Sequence, residues 1–261
     1  MLLVEEMLLV EELAARGWPA GEALRCDGWL LRHTPSLTRR RSNSALPLAD
    51  RPDLALVHDF YARRGARALV QVSPAEERTG LDAELARREW TREGATDVLV
   101  ADADAVLAAT AAHAVVAATA PDAVLAATAP GAVALTDRPD TGWIAAWATC
   151  EERADTDEHA RTVLARIEPP TSYARAPGDL GVGLAVCEGG WAGLFCVATA
   201  ASARRRGIAS RVVHALTTWA VEHGARRLYL QVETANAAAH AFYERAGFTR
   251  SHGYHYRAAP R

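Results

Sequence analysis

Apolar residues recur along the chain at helical spacing in some segments and at strand spacing in others, and this order predicts an α/β protein. In the first half the pattern predicts helices at 1–16, 53–64 and 76–89 and strands at 28–33, 40–46, 67–73 and 97–101. In the second half it predicts helices at 140–150, 157–167, 208–223 and 237–246 and strands at 133–136, 172–175, 181–187, 191–199, 227–233 and 252–257. Gly189-Gly190, between two apolar runs, predicts a hairpin turn.

The two halves share a short stretch of sequence. GARALVQV at 65–72 is similar to GARRLYLQV at 224–232, and each copy lies between two predicted helices. The similarity favours a duplicated helix–strand–helix–strand unit, and therefore a protein of two related lobes.

An alanine-rich segment separates the two halves. It contains a nine-residue repeat that begins at Ala105 and again at Ala114 and Ala123, and two copies end at Pro121 and Pro130. Small residues interrupted by proline are typical of a linker with short helical turns. The sequence therefore predicts an N-terminal lobe at 1–104, a linker at 105–131 and a C-terminal domain at 132–261.

Composition and charge narrow the possible functions. The chain has 261 residues, of which 50% are hydrophobic and 23% charged, and this balance excludes a disordered chain. It contains no lysine, which excludes Schiff-base chemistry and a lysine nucleophile. The net charge is -3, yet residues 200–261 hold ten arginines against three carboxylates. A basic final quarter on an acidic chain favours a localised anion site over an extended nucleic-acid surface.

Cysteine and histidine positions do not indicate a metal site. The four cysteines form no CxxC pair, and the nine histidines have neither HxxxH nor HExxH spacing. Unpaired thiols are typical of a reducing compartment. The first segment is acidic and lacks the order of charged and apolar residues of a signal peptide, and no apolar run approaches the ~20 residues of a membrane span. These features predict a soluble cytoplasmic protein with no membrane partner.

Small residues and three arginines lie where predicted strand 191–199 leads into helix 208–223. Gly207 and Ala209 leave the backbone accessible at the helix N-terminus, where unpaired amides and the helix dipole favour an anion. A solvated, arginine-rich helix start is the alternative interpretation. A P-loop for ATP is excluded because its GxxxxGK[ST] motif requires lysine.

Two motifs resemble those of the GNAT-type N-acetyltransferase superfamily. Arg204-x-x-Gly207-x-Ala209 follows a predicted strand, as the superfamily's Q/R-x-x-G-x-G/A signature does, and the second motif runs from Leu230 through Asn236 to Tyr243 and Gly247-Phe248. The segments at 28–32, 40–44 and 252–257 are similar to those of two-lobed members. The resemblance implies two GNAT-like lobes, each a mixed, largely antiparallel sheet flanked by helices, with a degenerate N-terminal lobe.

The resemblance also implies a cofactor and a reaction. The chain would be an N-acetyltransferase that moves an acetyl group from acetyl-CoA to a primary amine, with a small molecule or a peptide α-amine favoured, by direct attack. The pyrophosphate would bind the backbone of the loop residues Arg204, Arg205, Arg206, Gly207, Ile208, Ala209 and Ser210. Val197 and Thr199 would pair with the pantetheine amides, Asn236 would bond the same arm, and Tyr243 would protonate the departing thiolate. The structural alternatives are a helix cap for Asn236 and core packing for Tyr243.

The acceptor side departs from the superfamily pattern, because strand 191–199 carries no carboxylate. Glu188 and Glu233 are the nearest candidates for a general base, although both are also typical of surface carboxylates. Arg39, Arg40 and Arg41 with Asn43 either bind a carboxylate-bearing acceptor or form a solvated strand end.

The sequence leaves two other functions open. The main alternative is a non-catalytic acyl-CoA-binding regulatory module, and a DNA-associated protein is a weaker one. We expect no metal and no nucleic-acid partner, and a monomer or a homodimer.

Overall fold

Residues 3–35, 37–50, 52–113, 132–151, 158 and 162–261 are described by the computed structural model. They fall into two units, and the chain passes from one unit to the other more than once. Unit 1 comprises Met1–Leu99, Gln231–Ala237 and Arg250–Arg261, and unit 2 comprises Val100–Leu230 and Ala238–Thr249. The domain boundaries at 104 and 132 stay a prediction.

Unit 1 is a mixed sheet with helices. Its helices are α1 (Val4–Gly17), α2 (Leu54–Ala62) and α3 (Thr79–Arg87). Its strands are β1 (Glu22–Cys26), β2 (Trp29–His33), β3 (Ala45–Pro47), β4 (Leu69–Val72), most of β5 (Thr91–Asp102) and most of the last strand, β11 (Thr249–Ala258). Strand β1 pairs antiparallel with β2, β2 antiparallel with β3, β3 parallel with β4, and β4 antiparallel with β11. One apolar core joins Trp29, Val57, Phe60, Val70 and Leu85.

A buried polar network lies in the same unit. The Glu11 carboxylate accepts a hydrogen bond from Ser73 Oγ at 2.6 Å and lies 2.9 Å from His252 Nε2. Gln71 donates to Glu11 at 2.8 Å and accepts from Arg32 at 2.6 Å. The network therefore ties α1 to β2, β4 and β11 through hydrogen bonds between buried polar groups.

Unit 2 also combines strands with helices. Its helices are α4 (Ala103–Thr110), α5 (Thr141–Glu151), α6 (Ile208–Glu222) and most of α7 (Ala237–Arg245). Its strands are β6 (Ala134–Thr136), β7 (Thr171–Arg175), β8 (Gly181–Glu188), β9 (Trp191–Thr199) and the first part of β10 (Arg227–Glu233). Strands β6 to β9 pair antiparallel in chain order, and β10 pairs parallel with β9.

The predicted strand at 40–46 is wrong over its first five residues. Arg40–Asn43 forms a 3-10 turn, and only Ala45–Pro47 is a strand. The Asn43 side chain is the reason: its oxygen accepts from Thr34 N at 2.8 Å, and its amide donates to Leu37 O at 2.8 Å. Such side-chain bonds to the backbone compete with a strand ladder.

Two elements are absent from the sequence prediction. Strand β1 is exposed along most of its length and so has no alternating apolar face. Helix α4 is alanine-rich and begins two residues before the predicted linker, yet Ala103 and Val106 are buried. Of the predicted helix at 157–167, residues 157 and 159–161 lie outside the described residues, and Leu164–Arg166 forms a 3-10 turn.

Candidate active site

Strands β9 and β10 separate partway along their length. Their parallel pairing covers Trp191, Ala192 and Gly193 of β9 and ends where Gly193 faces Tyr229. Beyond that point β9 continues to Thr199 in pairing with β8. The first part of β9, through Phe195, is buried, and the residues from Cys196 onward are half-buried. The edge of β9 that faces β10 is therefore available to an extended ligand beyond Gly193.

A β-bulge follows in the separated part of β9. The register with β8 shifts beside Gly183, so that Cys196 and Val197 together oppose this one residue. Cys196 has a φ of +52°, which is rare for any residue but glycine. The extra residue reverses the alternation of faces, and a Cβ on Gly183 would lie 3.3 Å from Val197 Cγ2. Of the predicted pantetheine-pairing residues, Val197 thus lies in the bulge and Thr199 lies after it, and both lie beyond the last β9–β10 pair.

The loop after β9 exposes backbone amides at the start of α6. Arg205 and Gly207 have φ of +61° and +74°, and left-handed residues in such a loop turn successive amides toward one side. The first helical hydrogen bond runs from Arg211 N to Gly207 O at 3.1 Å. The amides of 208–210 therefore have no partner within the helix. The side chains of Arg204, Arg205 and Arg206 are exposed around them, and the result is a positive cradle that fits a diphosphate.

Two glycines of β8 bring α6 close to the sheet. A Cβ on Gly181 would lie 2.5 Å from Ile208 Cγ2, and one on Gly183 would lie 2.8 Å from Val212 Cγ1. Ile208, the first residue of α6, is buried. The cradle thus rests on the core of unit 2 and is held by packing in addition to backbone bonds.

Tyr243 lies on α7 with its ring in an apolar environment. The ring centroids of Phe242 and Phe248 are 4.9 Å and 5.5 Å away. Burial raises the pKa of the phenol, so the hydroxyl is protonated at neutral pH. Burial is the cause of this shift, and no hydrogen bond contributes to it. Tyr243 is therefore both a packing residue and a residue whose protonated hydroxyl can donate a hydrogen bond.

The structure does not bring Glu188 together with the cradle. Glu188 ends β8 and faces Trp191, at the opposite end of β9 from Thr199. Eight residues at ~3.3 Å each separate Trp191 from Thr199 along β9, or about 26 Å. Glu188 instead lines a cavity of about 470 Å³ together with Glu168, Trp191 and His223.

Glu233 and Asn236 lie in the part of the chain that belongs to unit 1. Glu233 is the exposed last residue of β10, and its carbonyl accepts a hydrogen bond from Asn236 N at 2.8 Å. Asn236 is exposed and immediately precedes α7. The two residues thus share one turn, and their predicted roles stay predictions.

The arginines at 39–41 each have a partner in unit 1. Arg39 lies 5.9 Å from the ring centroid of Trp18, Arg40 pairs with Glu93 at 3.1 Å, and Arg41 hydrogen-bonds Tyr254. Asn43 holds the turn described above. These contacts account for the cluster structurally.

Among the described residues, no three His, Cys, Asp or Glu side chains come together in a way that could hold a metal ion. Within the same part of the chain no helix is both long enough and apolar enough to span a membrane.

Sequence reasoning missed the strand separation and the bulge. Gly193, a glycine inside an apolar strand, carries a signal of close approach, because a Cβ there would lie 2.4 Å from the Tyr229 hydroxyl. Cys196 carries no such signal, since nothing in its neighbourhood in the sequence indicates a left-handed residue.

Comparisons by sequence found relatives of this chain. A family model described as "Probable histone acetyltransferase Rv0428c C-terminal" matches residues 5–257. The uncharacterized N-acetyltransferase YobR of Bacillus subtilis (strain 168) is 26% identical over 264 residues, which cover 97% of this chain and 99% of YobR.

Solved structures share the fold. A GCN5-related N-acetyltransferase from Kribbella flavida is 14% identical with a TM-score of 0.67, and the match covers 98% of this chain and 96% of that protein. A tandem GNAT protein from the clavulanic acid biosynthesis pathway is 11% identical with a TM-score of 0.60, over 96% of this chain and 87% of that protein. The predicted GNAT fold is confirmed.

Proposed function

Because the chain belongs to the acetyltransferase family whose model matches residues 5–257, and is a GNAT-type N-acetyltransferase, we propose that it transfers the acetyl group of acetyl-CoA to a primary amine by direct attack. The observation that carries this proposal is the separation of β9 from β10 directly before an amide-rich loop. An extended strand edge suits the two amides of a pantetheine arm, and the cradle suits the pyrophosphate. Val197, Thr199 and the backbone of 204–210 would hold this substrate.

In the proposed reaction a neutral amine attacks the thioester carbonyl carbon. A C–N bond forms, the C–S bond breaks, and CoA leaves as its thiolate. Amides on the open edge of β9 donate to the carbonyl oxygen as negative charge develops there. Tyr243 donates a hydrogen bond or a proton to the sulfur, and the surplus proton on nitrogen passes to water. A thiol pKa of ~8.5 makes the thiolate a fair leaving group, so the donor assists a step that also runs without it.

The acceptor we favour is an α-amine or another weakly basic amine. Strand β9 carries no carboxylate. An amine of pKa ~10.4 costs about 4–5 kcal/mol to deprotonate at pH 7, whereas an α-amine of pKa ~7.8 costs about 1 kcal/mol. A site without a carboxylate on β9 therefore suits the weakly basic α-amine better. The description of the matched family names histones, so a lysine-containing peptide belongs in the test as the opposing case.

The first experiment is thermal unfolding with acetyl-CoA, CoA or ATP. A ligand at 100 times its Kd adds about 2.7 kcal/mol to the free energy of unfolding, which is a readily measured shift. We expect stabilisation by acetyl-CoA and CoA and none by ATP. Release of free CoA thiol in the presence of an amine panel then separates an enzyme from a module that only binds acyl-CoA.

A pair of glutamate substitutions at the two ends of α6 tests the cradle. Gly207→Glu places a side chain and a negative charge at a left-handed position beside the amides, and we expect it to abolish the acetyl-CoA shift. Gly224→Glu is the matched control, because Gly224 is also left-handed and has open space around it just beyond the other end of α6. Retained binding in Gly207→Glu, or equal loss in both variants, contradicts the placement of the phosphates.

A further inference from the structure

The closed end of the gap between β9 and β10 is filled by aromatic rings. A Cβ on Gly193 would lie 2.4 Å from the Tyr229 hydroxyl oxygen and 2.6 Å from Phe195 Cε2. Tyr229 and Phe195 are both buried, and their ring centroids lie 6.1 Å apart with the planes at 90°. The space above Gly193 is thus occupied where the two strands part.

Alternation along β9 places these groups on one face. Trp191, Gly193 and Phe195 are two residues apart and share that face, and Tyr229 joins them as the pairing partner of Gly193. Phe195 is the first residue on this face beyond the last β9–β10 pair. A group that enters the gap from the cradle end therefore meets Phe195 and Tyr229 before it reaches paired strands.

Trp191 packs against Tyr229, and Arg227 packs against Trp191. The Trp191 ring centroid lies 6.4 Å from that of Tyr229, and the Arg227 guanidinium carbon lies 4.3 Å from the Trp191 centroid. Trp191 is itself buried. Tyr229 thus packs between two aromatic rings, and this packing restricts its movement at the end of the gap.

We propose that Phe195 and Tyr229 form the end wall of the acyl pocket and limit the acyl donor to short chains. The inference rests on the proposed function, since it takes the pantetheine arm to lie along β9 beyond Gly193 with its thioester toward the closed end of the gap. An acetyl group ends before the wall. Each added methylene has to displace a packed ring. One methylene in a fitted pocket changes the ratio of kcat/KM between two substrates by about 10-fold or more.

The test is binding and turnover of acetyl-, propionyl-, butyryl- and hexanoyl-CoA by the whole protein. We expect wild type to bind butyryl-CoA at least about 10-fold more weakly than acetyl-CoA in calorimetric titration, with a parallel ratio in kcat/KM. Phe195→Ala is expected to bring the two Kd values within about threefold and to admit hexanoyl-CoA. Phe195→Leu is a milder variant that gives the same direction should Phe195→Ala fail to fold, and Tyr229→Phe removes only the hydroxyl over Gly193.

Phe248→Leu is the matched control, because it shortens a buried aromatic of unit 2 that packs on Tyr243 and is not among the nearest neighbours of a Cβ on Gly193. It is expected to leave the ratio between chain lengths at the wild-type value. The proposed end wall is wrong if wild type binds acetyl- and butyryl-CoA equally, or if folded Phe195 variants keep the wild-type ratio of the two Kd values. Either result leaves the proposed binding of acetyl-CoA intact. Failure of wild type to bind any acyl-CoA overturns the proposed function and the wall together.

Discussion

Tyr243 uses its ring for packing and has only its hydroxyl available for chemistry, so Tyr243→Phe separates the two roles. Burial raises the pKa of this phenol above that of the thiol leaving group, ~8.5, so the hydroxyl stabilises the thiolate mainly as a hydrogen-bond donor. We expect Tyr243→Phe to lower kcat about 10-fold to 100-fold, at the low end of general-acid effects. The Kd for acetyl-CoA, measured by titration calorimetry, is expected to stay at the wild-type value.

Tyr61→Phe is the control for this prediction. Burial also raises the pKa of Tyr61, but its hydroxyl donates to Arg32 O at 2.9 Å within the core of unit 1. Its loss should lower the melting temperature and leave kcat within about twofold, since one neutral hydrogen bond contributes about 1 kcal/mol to stability. An unchanged kcat in Tyr243→Phe would remove that residue from the mechanism.

At the scale of elements, the contact between β8 and α6 sets the position of the cradle. Gly181→Ala would bring a Cβ within 2.5 Å of Ile208 Cγ2 and 3.2 Å of Ala198 O. We expect overpacking to cost about 1–3 kcal/mol of unfolding free energy and to weaken acetyl-CoA binding, because the first turn of α6 has to move. Denaturant titration and calorimetry measure the two effects.

A double-mutant cycle tests whether contact with Ile208 causes the loss of stability in Gly181→Ala. Ile208→Ala removes the atom that the new Cβ would meet, so Gly181→Ala should cost less in the Ile208→Ala background than in wild type. Strictly additive costs would show that the strain lies elsewhere.

The contact between α3 and β11 in unit 1 predicts a pH dependence. Arg257 donates to Asp82 at 2.7 Å and 3.0 Å, and His255 Nε2 lies 2.6 Å from the same carboxylate. Burial raises the pKa of Asp82, but these two partners outweigh it and hold the pKa at about 2. A lowered carboxyl pKa stabilises the fold above its ordinary value near 4, and this stabilisation is lost as the pH falls from about 4 to about 2.

Asp82→Asn tests this contribution. The variant should be less stable than wild type at pH 7, and the difference in unfolding free energy should narrow below pH 4, where wild-type Asp82 takes up its proton. Burial lowers the pKa of His255, so both proteins should also lose stability below about pH 6.5. A difference that stays constant down to pH 2 would mean that Asp82 is not ionised in the folded protein.

Periodicity predicted the elements that carry the cradle, because their apolar faces are packed. Helix 208–223 and strand 191–199 agree with α6 and β9 to within a residue. The bulge at Cys196 and the end of pairing at Gly193 depend on register with neighbouring strands, which a local pattern does not contain. The place of Glu188 depends on the same register, because it pairs with Trp191 at the opposite end of β9 from Thr199, and its predicted role as a base stays a prediction.

At the scale of the whole molecule, the order of the lobes in the sequence differs from the composition of the units. The last strand, β11, was predicted within the C-terminal domain, whereas residues 250–261 belong to unit 1. Its pairing with β4 joins His255 to Val72, and Ala259 N donates to Ala68 O at 2.9 Å. Contacts so distant along the chain leave no periodic signal, so the sequence predicted the strand without its partner.

The predicted lobe 1–104 should therefore not fold on its own. Without β11 it lacks the partner strand of β4, the His252 that pairs with Glu11, and the Arg257 that pairs with Asp82. An unpaired β4 edge and a buried Glu11 without its partner each cost stability in a domain of marginal total stability. We expect fragment 1–104 to unfold without a cooperative thermal transition, followed by circular dichroism. Fusion of residues 249–261 through a glycine–serine linker should restore part of that transition, and a scrambled 249–261 should not. A fragment 1–104 that melts cooperatively without β11 would show that the sequence boundary, and not the contact pattern, defines the folding unit.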